Sequence, residues 1–213
     1  MLDTGTGQVT TQPFTHAHLQ AVVRLLSYST QTASLLPLLV SEADAGNHGP
    51  LAGQAQLLLR GLPEALSFPM HNSVVCTEDY PFFPSGPVPG EGIAYLGTTI
   101  VDALERICAR WPRGVMDEDF KAPLATDRPI LLLSGENDPV TPPGYAAEAI
   151  AGGFTNAVHV IGADQGHGLA VVGCVPRLLR VFLENPVPAE LDSECLETEP
   201  PAPFFLSFLG PAP

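Results

Sequence analysis

The sequence predicts an α/β fold in two parts, a helical region over residues 1–92 and, over residues 93–213, parallel strands alternating with helices. Three observations carry this. Residues 128–142 hold the run Ile130, Leu131, Leu132, Leu133 between Pro129 and Gly135, a short apolar stretch of the kind that forms a strand buried on both faces within a parallel sheet. Residues 157–161, Ala-Val-His-Val-Ile, repeat the strand pattern after one helix-length segment. Ahead of both, leucines recur at helical rather than alternating spacing.

Residues 1–13 are rich in Thr, Gly and Gln and are expected to form a poorly tied leader. Thr15 is placed to cap a helix carrying Leu19, Val22, Val23, Leu25 and Leu26, and Ser27 and Ser29 fall in the same amphipathic stretch. A second helix over residues 32–45 carries Leu35, Leu36, Leu38, Leu39 and Val40, with Pro37 as a kink or restart and Gly46 as its stop. A third, over residues 51–60, presents Leu57, Leu58 and Leu59 before Gly61. Short helices joined by Gly/Pro turns make a helical cap, either a roof that selects substrate by shape or a plain helical subdomain.

Residues 73–76, Ser-Val-Val-Cys, read as strand-like and lead into Glu78 and Asp79. Residues 81–92 form a proline/glycine loop that hands the chain to the second region. A helix over residues 95–111 places Leu96, Ile100, Val101, Leu104, Ile107 and Cys108 on one side, with Trp111 as a packing anchor and Pro112 as terminator. Another, over residues 143–151, stops at Gly152 and Gly153. The last spans residues 169–183, with Pro176 limiting the regularity of its first turns. From Glu184 the chain is acidic and proline-rich, and Phe204, Phe205 and Phe208 are expected to pack on the body.

With 23 acidic and 9 basic side chains the formal charge is −14, which argues against nucleic acid or an anionic membrane surface as partner. Pro at 23 and Gly at 20 without a repeat suggest long ordered loops. No apolar run reaches the length of a membrane span, and no basic stretch followed by an apolar one opens the sequence, so no signal peptide is expected. The four cysteines lack metal-ligand spacing, and His159 and His167 sit among apolar and glycine neighbours, so no metal is implied.

Asp138 follows the first strand in the turn Asn137-Asp138-Pro139, and His167 follows the second between Gly166 and Gly168. The carboxyl ends of strands in open α/β sheets are where ligands and catalytic side chains collect. Acid after one strand and histidine after the next is the order Ser, Asp, His of a hydrolase triad, in which the acid orients the imidazole and the imidazole deprotonates serine.

Residues 132–142 and Gly166-His167-Gly168 resemble the acid and base segments of the α/β-hydrolases grouped with proline and tripeptidyl aminopeptidases, the TAP-like proteins. Cys108-Ala109-Arg110-Trp111-Pro112 is similar to the Cys-x-x-Trp-Pro element of that group, and residues 73–79 to its Cys-x-Glu/Asp segment. Cys174, Cys195 and the closing Pro200-Pro201-Ala202-Pro203-Phe204-Phe205 resemble the carboxyl terminus of bacterial members. The resemblance implies a partial α/β-hydrolase fold, its last parallel strands with flanking helices, plus a helical cap. Together with the even cysteine count it favours two disulfides, Cys76 with Cys108 and Cys174 with Cys195, over free buried thiols, and a periplasmic or extracellular parent protein.

Family members carry the nucleophile earlier, in a Gly-x-Ser-x-Gly elbow. The glycine pairs Gly49/Gly53, Gly86/Gly90 and Gly162/Gly166 centre on Leu51, Val88 and Asp164, and Ser27 and Ser29 lack elbow glycines. The chain is therefore expected to begin inside the cap region, after the oxyanion-hole and nucleophile segments. The resemblance implies hydrolysis of an amino-terminal peptide, amide or small ester bond, with Asp138 and His167 as acid and base and Glu78, seconded by Asp79, receiving the substrate's ammonium group. No cofactor is implied. Two alternatives compete, a catalytically silent fragment acting as a binding module, and a homo-oligomer assembled through an exposed sheet edge.

Overall fold

The computed structural model describes residues 6–9, 11, 13–83, 97–196 and 202–211. Part of the expected leader, most of the proline/glycine loop and residues 95–96 of the expected helix lie outside them, as do Pro200 and Pro201 of the tail. The chain divides into two compact units, one of Met1–Arg24 with Glu42–Lys121, the other of Leu25–Ser41 with Ala122–Pro213.

The first unit is helical. Helix α1, His16–Leu26, crosses the division, and its start is closed by Thr15, whose carbonyl accepts from His18 N while its own N–H reaches the His18 ring, a reciprocal cap built with histidine. Helix α4, Gly49–Ala65, runs past the glycine expected to stop it, since an isolated glycine costs a helix only about 1 kcal/mol. Pro63 lies within it, two residues before its end. Helix α5, Phe68–Val74, and a π-helical turn, Val75–Asp79, replace the strand expected at residues 73–76. The run Val74-Val75-Cys76 was too short to distinguish strand from buried helix by periodicity, and Pro69 at the first turn starts a helix instead. Helix α6, Thr99–Cys108, brings Cys108 to Cys76 in a disulfide, and both are buried. Trp111 is half-buried and its indole donates to Ser73 Oγ at 3.1 Å, in keeping with an anchoring role.

Helix α2, Thr30–Ala33, lies in the second unit, and helix α3, Leu36–Asp44, begins there and crosses the division; Pro37 marks the restart and Gly46, at φ 88°, follows the end. The sheet of the second unit has two strands among the described residues, β1, Ile130–Gly135, and β2, Ala157–Gly162, parallel and in register from Ile130 against Ala157 to Gly135 against Gly162. Helix α7, Pro143–Ala151, connects them. With a single partner strand, Ile130 to Leu133 are half-buried rather than covered on both faces as expected. The last helix is also interrupted. A 3-10 turn, Leu169–Val171, gives way to Gly173 at φ 47° before helix α8, Val175–Glu184, begins with Pro176 in its first turn.

Leu131, Leu133, Val158 and Val160 pack with Leu169, Val175 and Leu178 into one apolar core, which Leu196 completes. The Cys174–Cys195 disulfide ties the start of α8 to the segment holding Leu196, so the covalent link sits at this core. In the tail, Phe205 is half-buried and its N–H donates to Ser34 O at 3.1 Å. Phe204 and Phe208 are exposed, against the expectation that all three aromatics pack. No helix among the described residues is long and apolar enough to cross a membrane.

Candidate active site

β1 ends at Gly135, and the next turn is folded by its own backbone: Asp138 N–H donates to Gly135 O at 3.2 Å, and Glu136 N–H to Gly162 O at 3.0 Å. Asn137 N–H donates to Gln165 O at 2.9 Å, joining this turn to the loop after β2. A Cβ at position 135 would overlap the backbone oxygens of Gln165 and Gly166, so the two loops meet at a spacing only glycine permits.

Within this turn Asp138 is 6% exposed, yet every lone pair it needs is met. Its Oδ1 accepts from Val140 N at 2.8 Å and Thr141 N at 2.9 Å, and its Oδ2 accepts from Thr141 Oγ1 at 2.9 Å. This is the side-chain-to-backbone turn that Asp-Pro-Val-Thr favours, with proline fixing the first step. The same Oδ2 lies 2.9 Å from Nδ1 of His167. Burial pushes the carboxyl up, but the Thr141 and Val140 amides, then the side chains of His167 and Thr141, outweigh it and lower it to about 2.

The protonation pattern follows. At neutral pH Asp138 is a carboxylate and accepts only, so Nδ1 of His167 carries the hydrogen in this bond. Thr141 Oγ1, 3.3 Å from Nδ1, offers that hydrogen a second acceptor while its own proton goes to Asp138. The imidazole is 38% exposed and the carboxylate 3%, a buried acid behind an accessible base. His167 N–H donates to Tyr28 O at 2.6 Å, and Gly168, at φ 88°, turns the chain into the following 3-10 turn.

Asp138 and His167 are thus brought together. Glu78 and Asp79 lie in the first unit, in the π-helical turn, where Asp79 pairs with Lys121 at 3.5 Å and both partners are exposed. Ser27 and Ser29 lie outside the amphipathic helix expected to contain them, between α1 and α2, and the Ser29 hydroxyl caps α2 by accepting from Thr32 N at 3.2 Å. Thr141 and Tyr28 were not singled out in the sequence. The D-x-x-T spacing could have pointed to Thr141, whereas Tyr28 acts partly through its main-chain carbonyl, which no residue identity announces. Among the described residues no group of three or more His, Cys, Asp or Glu side chains is arranged to hold a metal ion.

A parallel βαβ unit that presents an acid and a histidine at adjacent strand ends has the architecture of an α/β-hydrolase. Residues 94–195 match the family described as TAP-like protein, which supports an α/β-hydrolase relationship over that stretch. No curated protein and no solved structure matches the chain.

Proposed function

We propose that Asp138 and His167 are the acid and base of a serine-hydrolase triad that cleaves amino-terminal peptide, amide or small ester bonds. The observation that carries this reading is the 2.9 Å contact between Asp138 Oδ2 and His167 Nδ1, with the carboxylate held ionised by four hydrogen bonds. Asp138 keeps the hydrogen on Nδ1. Nε2 takes the proton of a serine hydroxyl as its oxygen attacks the acyl carbon, and gives it to the departing amine or alcohol. Water then repeats the sequence on the acyl-serine, returning the enzyme. The helices of residues 1–92 act as the cap, and Glu78 receives the substrate's ammonium group; Asp79, already paired with Lys121, plays the lesser part. Two disulfides persist in oxidising compartments, which supports a periplasmic or extracellular setting.

The test is labelling with a fluorophosphonate together with turnover of a chromogenic ester, across serine-to-alanine variants and His167→Ala. Stoichiometric labelling of one serine, lost in His167→Ala, supports the hydrolase. The absence of both label and turnover would instead support the second reading, a binding or assembly module.

A further inference from the structure

The loop that carries His167 is gripped from a distant part of the chain, residue against residue. Thr30 Oγ1 donates to Gln165 Oε1 at 3.4 Å. The Tyr28 carbonyl and Ser29 Cα lie so close to Gly166 that a Cβ there would overlap the first and stand 3.1 Å from the second. Tyr28 O accepts from His167 N, and the Tyr28 ring stands edge-on to the imidazole, centroids 5.5 Å apart and planes at 81°.

We infer that Tyr28 is a positioning residue for His167, holding the imidazole in the orientation that Asp138 alone leaves free; this rests on the reading of His167 as the base. Asp138 and Thr141 both hold the ring at one atom, Nδ1. A ring anchored at one atom still swings about that hydrogen bond, and a base must present Nε2 within a narrow angle to be useful. The Tyr28 carbonyl fixes the main chain from which the ring departs, and the Tyr28 ring closes one flank of the imidazole. Gln165 is 2% exposed and its carbonyl receives the Asn137 N–H, so the same grip reaches the turn that carries Asp138. Acid turn, base loop and Tyr28 segment therefore form one cross-braced unit.

The experiment is imidazole proton–nitrogen NMR on the full chain labelled with ¹⁵N, reading the Nδ1–H signal of His167 and its exchange with water, beside an unfolding curve for each variant. Tyr28→Phe keeps the ring and should match the parent. Tyr28→Leu should speed Nδ1–H exchange by about fivefold, the size expected for one edge-to-face aromatic contact, and should disperse the ring signals over more than one orientation. Should Tyr28→Leu not fold, Tyr28→Met, which fills similar space without a ring, is read in its place. A merely structural tyrosine would lower the unfolding midpoint and leave the imidazole signals of the folded protein unmoved, and that result overturns the inference. Asp138→Asn is the control on the reading beneath it. If Nδ1–H persists unchanged without the carboxylate, the acid–base assignment fails, whatever the Tyr28 variants do.

Discussion

Gly135 and Gly166 approach so closely that the backbone oxygen of one fills the space a side chain on the other would need. This contact joins the end of β1 to the loop after β2, and the acid turn and base loop both depart from it. Gly135→Ala should lower the unfolding free energy by roughly 3 kcal/mol or more, because backbone rather than a flexible side chain would have to move. Chemical denaturation checks this, and a variant as stable as the parent would refute the close approach.

Asp138 links the site to acid stability. Its carboxyl is lowered from 3.8 to about 2, so the folded protein binds fewer protons than the unfolded chain between those values. The stabilisation is complete above the unfolded value and is lost as pH falls through the folded one. The parent should therefore lose about 2 kcal/mol more than Asp138→Asn between pH 5 and pH 1. Thr141→Val, which removes one of the four lowering bonds, should move the Asp138 titration upward, as carboxyl carbon NMR would record.

His159 supplies a second pH signature at a separate place. Its Nε2 lies 3.0 Å from Ser134 Oγ across the two strands, and burial lowers its pKa below the ordinary histidine value. The unfolded chain takes up this proton first on acidification, so stability should decline as pH falls below about 6.5, the ordinary value. His159→Gln should flatten that slope in an unfolding series from pH 7 to pH 5.

Cys174 and Cys195, separated by 21 residues, close a loop at the main core. Replacing both by serine should cost about 3 kcal/mol by the loop-entropy relation. Alkylation followed by mass spectrometry without reduction should find no free thiol in the parent, where all four cysteines are paired.

Glu78 has no ion-pair partner among the described residues, while Asp79 is held by Lys121. If the proposed hydrolase activity is measured, Glu78→Gln should impair cleavage of a substrate with a free amino terminus by about tenfold or more relative to an uncharged ester. Equal losses on both substrates would remove the ammonium-binding role.

The βαβ unit was readable in the sequence because Pro129, Gly135, Gly152 and Gly153 punctuate apolar runs of unambiguous length. The approach of Asp138 to His167 was legible because a turn signature or a glycine pair follows each run. Residues 73–76 were misread because three apolar residues before a polar pair suit a strand and a buried helix equally, and the turn actually taken there is a π-turn ending at Asp79. The grip of Tyr28 on His167 was invisible for another reason. It joins residues far apart in the chain through a carbonyl every residue possesses, and only the folded arrangement chooses which one.

The contrast between a carboxylate sealed from solvent and an imidazole open to it makes proton traffic at this pair one-sided. Water and buffer meet the carboxylate through the groups bonded to it, the His167 ring and the hydroxyl of exposed Thr141, so an isotope arriving from outside is handed inward across one of them before Asp138 registers it. The aspartate thus behaves as the closed end of a short relay, entered through the ring and the hydroxyl that bond it.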